Sequence, residues 1–220
     1  MSDAPTPFAA EPPVADPLAL WEQRHAELGA WRSGGDRGLS TEENYEFYVV
    51  RLGKLLELIR TDVTRGRGLR ILDAGCGRGF FTDGLRRCGH RAVGIDASPT
   101  AIAAATTEFG PHFAATQLHT YRPSALFDVI VSIDVLFHVL DDAVWAASLD
   151  AFARYAAVES TLVITDVFPD QRYAPRAHIV HRDRAAYDAQ LATHGFRFVR
   201  LVPYAFGANP IGFAVYRRQL

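Results

Sequence analysis

Three glycines at alternate positions, in Asp73-Ala74-Gly75-Cys76-Gly77-Arg78-Gly79, follow directly on a short apolar run at residues 70–74. Glycines in that pattern let the backbone bend sharply and approach a ligand with no Cβ in the way. Asp73 closes the apolar run and can accept from a cationic amine. A second acid, Asp96, ends the next run, Val93-Gly94-Ile95-Asp96. An acid about 20 residues beyond such a loop is placed to accept both hydroxyls of a ribose. The loop alone reads equally as a nucleotide site or a tight turn. Joined to Asp96, in the right order on two strand ends, it favours a ribose-bearing ligand.

For this chemistry to assemble, the chain must alternate strand and helix. Strands are expected at residues 70–74, 91–95, 112–115, 127–133 and 161–167, with two more at 196–202 and 211–216. A helix after the glycine loop stops at Gly89. Ser98-Pro99 opens another as N-cap and first-turn proline. Asp141 or Asp142 caps a helix that places Trp145, Leu149, Phe152 and Ala156 on one face, and a last helix ends at Gly195. This is the pattern of a doubly wound, Rossmann-like, mostly parallel sheet of seven strands with helices on both faces. The final strand runs antiparallel, because residues 203–210 are too few for a right-handed crossover. Upstream, residues 17–28 and 41–59 read as helices, the second with Ser40 and Glu43 spaced as a capping box. Between them residues 31–38 read as a loop, by their glycines.

The bulk composition restricts the function class. With 220 residues, 49% of them hydrophobic and 22% charged, the chain suits one α/β domain. A net charge of −2 lacks the basic surplus of a nucleic-acid-binding protein. Lys54 is the single lysine among 23 basic side chains, which removes mechanisms needing a lysine elsewhere. Two cysteines, Cys76 and Cys88, build neither a disulfide framework nor a structural zinc site and suit a reducing, cytoplasmic setting. No apolar run reaches the ~18 residues of a membrane span. Residues 1–17 hold five of the twelve prolines, lack the apolar core of a signal peptide and are expected to be a disordered tail. Residues 18–220 are then one domain, with a helical lid over 18–65 and the sheet core over 66–220. Monomer and homodimer both stay open.

From about Leu69 onward the chain resembles the class I S-adenosylmethionine-dependent methyltransferases. The Asp-x-Gly-x-Gly-x-Gly run at Asp73–Gly79 is that family's first motif, and the terminal strand pair is its usual ending. The resemblance implies that Gly75, Cys76, Gly77 and Gly79 wrap the donor and that Asp73 turns toward its methionine amine, partly through water. Asp96 would hold the ribose, with Ala97 beside it. Gln117, next to Leu118, stands where the family often has an acid facing the adenine amine, and its amide oxygen accepts the same bond. Ser132 and Ile133 would line the methionine portion. One departure lies before the strand at 161–167, where the family's Pro-Gly-Gly turn is replaced by Ala156-Ala157-Val158-Glu159-Ser160.

A sulfonium methyl is already a good electrophile, so the protein must chiefly hold the acceptor in line and exclude water. In the resembled family the turn Asp134-Val135-Leu136-Phe137-His138 borders the transfer pocket. His138, titrating near neutrality, could accept a hydroxyl proton; the alternative is that it orients the turn or caps the next helix. Asp134 is either a second catalytic group or a backbone-bonded turn residue. Asp134 and Asp166 end adjacent strands and could meet at a magnesium ion. No Asp-Asn pair follows the later strand, however, and no metal is expected. Phe137, His178 and His181 are assigned to the acceptor wall; the two histidines, three apart on an extended segment, face opposite sides. The N-terminal helices are expected to stand apart from the sheet and cover the donor. Tyr45, Phe47 and Tyr48 offer aromatic faces to the sulfonium or acceptor, or are core. Arg32 and Arg37 could grip an anionic acceptor or stay solvated.

The resemblance thus implies a methyl transfer from S-adenosylmethionine to oxygen, with nitrogen second, on a small molecule such as a natural product or sugar. One rival is an NAD(P)-dependent oxidoreductase. It shares the loop and ribose acid, but its Tyr-x-x-x-Lys catalyst has no lysine to draw on. The other is a protein that binds the donor without catalysis.

Overall fold

The computed structural model describes residues 14–63, 66–207 and 211–219. Helix α1 (Pro17–Glu27) starts at Asp16, whose carboxylate accepts from the backbone N–H groups of Leu18 and Ala19 at 3.0 and 3.1 Å. Asp16 thereby satisfies donors that the first turn leaves unpaired. Of the expected tail, residues 1–13 lie outside the described residues. Residues 31–38 are not all loop: a single turn, α2 (Ala30–Ser33), precedes α3 (Thr41–Asp62). The capping box opening α3 is formed, Ser40 accepting from the Glu43 N–H and Glu43 from the Ser40 N–H.

Then come β1 (Arg70–Ala74), α4 (Phe80–Arg87), β2 (Arg91–Asp96), α5 (Pro99–Phe109), β3 (Phe113–Ala115) and β4 (Phe127–Ser132). A 3-10 turn at Leu136–His138 leads to α6 (Asp142–Tyr155) and β5 (Ala156–Asp166). The short hairpin β6 (Tyr173–Arg176) and β7 (Ile179–His181) precedes α7 (Arg184–Ala192), β8 (Phe196–Pro203) and β9 (Gly212–Arg218). The main sheet has seven strands in the order β3-β2-β1-β4-β5-β9-β8. Pairings among the first five are parallel, and β9 runs antiparallel between β5 and β8. This is the Rossmann-like sheet expected from the sequence. Its order reverses between β1 and β4, where the carboxyl ends of the strands splay and leave a crevice.

Alternation along the strands builds two apolar layers. Ile71, Val129, Val131, Val163 and Val215 face α3 and α4, while Leu72, Ile130, Leu162, Ile164 and Tyr216 face α6 and α7. The first layer corrects one expectation. Helix α3 does not stand apart from the sheet: its Leu55, Leu58 and Ile59 are at most 1% exposed in that layer. A 22-residue helix with an apolar stripe has to bury it, and the sheet face is the surface on offer. Helices α1, α2 and α5 contribute no side chain to either layer.

A second difference lies before β5. Residues 156–160 are strand, not a linking turn, so β5 leaves α6 directly and pairs Ala156 with Phe127 across a bulge. Ala156 remains buried, but at the root of the strand. The β6–β7 hairpin was foreseen only as an extended segment.

Candidate functional site

Steric demand at the first strand–helix junction fixes the glycines. Gly75, Gly77 and Gly79 all have positive φ, at 88°, 51° and 85°. A Cβ on Gly75 would lie 2.3 Å from a Val135 methyl carbon, and one on Gly79 would lie 2.7 Å from the Phe113 ring. Gly77 has room for a side chain and is glycine for its backbone conformation alone. The bent loop hangs from β2, because the N–H groups of Gly75 and Cys76 both donate to the Ile95 carbonyl, at 2.8 and 2.9 Å. The Gly77 N–H then donates to Oδ2 of Asp96 at 2.9 Å, and the Ser98 N–H donates to Oδ1 at the same distance. Each Asp96 oxygen keeps a lone pair for a further donor.

Above this junction lies a cavity of about 400 Å³, a volume within the usual range for small-molecule sites. Gly75, Cys76, Gly77, Asp96, Ala97, Gln117, Leu118 and Ile133 line it, and so do Tyr48, Asp134 and His138. Asp73, Gly79 and Ser132 stand behind its wall. Asp73, 1% exposed, accepts from the Thr82 hydroxyl at 2.7 Å and so pins α4 to β1. Burial raises its pKa to about 7, against the lowering effect of the Thr82 bond. Ser132 donates to the Ala74 carbonyl at 2.9 Å and stitches β4 to β1. Tyr45 is exposed and packs edge-on against Trp31, outside the cavity.

His138 and its surroundings differ from the reading of an imidazole near neutrality. Its Nδ1 is 2.8 Å from the His178 carbonyl oxygen, which fixes the proton on Nδ1 and leaves Nε2 as the acceptor. The ring is stacked on His178 at 5.7 Å and meets Trp21 and Phe137 at 4.5 Å each. Burial among these rings lowers its pKa to about 3, outweighing the His178 carbonyl. His138 is therefore neutral at physiological pH, and it is a poor proton store. The other histidine assigned to the acceptor wall, His181, turns away from the cavity. Its Nδ1 pairs with Asp166, whose second oxygen accepts from Tyr187 at 2.8 Å. Phe137 fills the space between the His138 and His181 rings.

Asp134 has φ 57°, unusual for a non-glycine residue. Its N–H donates to Thr165 Oγ1 at 2.6 Å, and the same hydroxyl donates back to Oδ1 at 3.1 Å. The other oxygen pairs with Arg51 of α3, a side chain 2% exposed. Rings of Phe47 and Tyr48 stand 4.0 and 4.6 Å from the guanidinium carbon. Burial, the largest effect, would lower the Arg51 pKa; the Asp134 carboxylate together with Tyr48 and Tyr204 more than offsets it, and the net shift is upward. Asp134 and Asp166 are thus bound to different partners. Among the described residues no group of three or more His, Cys, Asp or Glu side chains gathers as for a metal.

Sequence reasoning missed the lining residues of α1 and the segment after His138. Pro17, Leu18, Trp21 and His25 form the roof, Val139, Leu140 and Val144 form one wall, and Arg51 also lines the cavity. Trp21 and His25 are four apart, a spacing that shares a helix face, and this was the available signal. Glu22, between them, accepts from the Ser98 and Thr100 hydroxyls at the start of α5. Arg78 in the glycine loop donates to the carbonyls of His25 and Leu28 at 2.6 and 3.4 Å. The roof is fastened to the segments that follow β1 and β2.

A family model described as a methyltransferase domain matches residues 43–201. The chain belongs to the class I S-adenosylmethionine-dependent methyltransferase family. It is 34% identical over 83 residues to a ubiquinone biosynthesis O-methyltransferase of Bradyrhizobium diazoefficiens, a match covering 36% of this chain and 33% of that protein. The chain thus spans about a third of the length of the curated relatives it matches. Its fold is that of magnesium protoporphyrin IX methyltransferase from Synechocystis PCC 6803, solved with bound S-adenosylmethionine. There the TM-score is 0.70 at 19% identity, over 94% of this chain and 99% of the other. The N-methyltransferase NodS of Bradyrhizobium japonicum WM9, in complex with S-adenosylhomocysteine, gives a TM-score of 0.68 at 23% identity, over 92% and 98%. The sheet, the family and its methyl donor were all legible in the Asp73–Gly79 run and the alternation of strands and helices.

Proposed function

We propose that this protein transfers a methyl group from S-adenosylmethionine to an oxygen of a small-molecule acceptor, with nitrogen as second choice. One observation carries the reading: the glycine cradle at Gly75–Gly77 and the Asp96 carboxylate open into the same roofed cavity. The residues fit the donor. A Cβ at Gly75 would force the loop away from Val135, Asp96 keeps acceptor capacity, and Gln117 and Leu118 lie on the same wall. Asp96 would hold the ribose, Gln117 the adenine amine, and Gly75, Cys76, Ala97 and Ile133 the surfaces between. When bound, the donor would supply a sulfonium methyl whose carbon an acceptor heteroatom attacks in line, with S-adenosylhomocysteine as the leaving group.

The chain's own groups then orient and enclose. Trp21, Leu18, Val139, Leu140 and Val144 make the roof and wall apolar, which excludes water and suits a compact organic acceptor. His138 offers the Nε2 lone pair to an acceptor hydroxyl and orients it, while the low basicity of the ring leaves the proton to depart late. Tyr48 lies on the donor side, and Phe137 and His178 hold His138 from behind. Oxygen is favoured because methyl transfer from a sulfonium to a hydroxyl profits from such an acceptor, and because the matched relatives are named O-methyltransferases. A natural product or sugar is the proposed acceptor class. No helix among the described residues is long and apolar enough to cross a membrane, and both cysteines are free; a cytoplasmic setting agrees with both.

The deciding experiment incubates isotopically labelled donor with a panel of hydroxylated and aminated acceptors and follows label by mass spectrometry. Labelled product carrying an O-methyl group supports the reading; a protein that binds donor yet labels nothing across the panel would leave it a non-catalytic binder. Asp96→Ala should weaken S-adenosylhomocysteine binding by more than about tenfold, or ~1.4 kcal/mol. Calorimetry checks this, and unchanged affinity removes Asp96 from the donor site.

A further inference from the structure

The roof helix holds a polar side chain that its own surroundings do not satisfy. His25 is 3% exposed and lines the cavity, with Cε1 3.6 Å from where a Cβ on Gly77 would stand. Its Nδ1 is fully enclosed and has no hydrogen-bond partner. An enclosed N–H with nothing to accept it is costly, so the neutral ring places its proton on Nε2, the nitrogen left for a ligand. Burial keeps this ring neutral, lowering its pKa against the opposing pull of Asp96. Neighbouring Arg24 is turned the other way, donating to the carbonyls of Arg32 and Gly35.

Asp96 supplies the complement. As a carboxylate it only accepts, and each oxygen already takes one backbone N–H. A ribose hydroxyl that donates to Asp96 is left with oxygen lone pairs and needs a donor from the opposite side. The glycine loop forms the floor, so that donor must come from the roof. We propose that His25 is a donor-binding residue carried by α1, its Nε2–H donating to the ribose hydroxyl whose proton Asp96 accepts. The contact makes the roof part of the nucleoside site, and it rests on the donor reading given above. Glu22 and Arg78 fix α1 on either side of His25 and set the ring over Gly77.

Titration calorimetry tests this with S-adenosylhomocysteine and its 2′-deoxy and 3′-deoxy analogues, on wild type, His25→Phe and His25→Gln. Phenylalanine keeps the ring and loses the N–H; glutamine returns an N–H near the Nε2 position. His25→Phe should bind S-adenosylhomocysteine roughly three- to tenfold more weakly, and His25→Gln should recover most of that loss. One deoxy analogue should bind wild type and His25→Phe alike, because the hydroxyl in question is already gone. Equal affinity of His25→Phe and wild type for S-adenosylhomocysteine overturns the proposal. So does a loss of the same size with all three ligands, which would mark His25 as packing alone. If wild type itself binds none of the three, the donor reading fails first, and that result is distinct from either.

Discussion

Two side chains at the site depart far from their ordinary acid–base behaviour, and each has a measurable consequence. Asp73 has its pKa raised to about 7 by burial, against 3.8 for an unperturbed group. A carboxyl whose folded pKa is raised contributes stability that is fully present below the unfolded value and lost as pH rises through the folded one. The ligand-free protein should therefore lose stability between about pH 4 and pH 7. Asp73→Asn should flatten that slope in thermal unfolding run from pH 5 to pH 8, and an unchanged slope would assign the loss elsewhere. His138 departs in the other sense, with a pKa of about 3. His138→Ala should lower turnover while leaving affinity for S-adenosylhomocysteine nearly intact, since the ring meets Trp21, Phe137 and His178 rather than the glycine loop. Equal turnover would make the ring a wedge between the roof and the β6–β7 hairpin. Asp73 also has a partner that its motif does not announce, since its Oδ2 accepts from the Thr82 hydroxyl of α4.

At the scale of elements, α1 matters most and was the least legible. Its existence could be read from Asp16-Pro17 and the apolar spacing that follows, but its contacts depend on side chains far away in the chain. Glu22 pairs with Ser98 and Thr100, and Arg78 reaches back to His25 and Leu28; no local pattern encodes either. Hydrogen bonds to those two hydroxyls lower the Glu22 pKa, consistent with a carboxylate that stays ionised as the latch. Glu22→Ala should speed release of bound S-adenosylhomocysteine severalfold in stopped-flow displacement, with the circular dichroism of the sheet unchanged. An unaltered release rate would mean that α1 does not open for exchange. Helix α3 teaches the converse lesson. Its aromatic residues suggested a cover, but a long apolar stripe bound it to the sheet, and Arg51 on it became the buried partner of Asp134. A pairing 83 residues apart in sequence has no short-range signature.

For the molecule as a whole, the doubly wound, mostly parallel sheet followed from the alternation of strands and helices, whereas the strand order and its reversal between β1 and β4 came from the structure. Parallel pairing, the antiparallel β9 and the glycine junction were each encoded within a few neighbouring residues. The cavity needs the roof, the sheet ends and the segment after His138 together, so ligand binding should stabilise the entire fold. S-adenosylhomocysteine at 100 times its Kd should add about 2.7 kcal/mol, a rise in Tm of roughly 5–10 °C for a protein of this length. Differential scanning calorimetry reads this directly, and no rise would mean that the nucleoside does not bind the native state. The two thiols add a practical corollary. Cys76 is buried in the cradle, its pKa pushed well up by burial, whereas Cys88 is exposed at the end of α4. A maleimide dye would thus attach at one position without mutagenesis, and its slow second incorporation would clock the uncovering of the nucleoside floor.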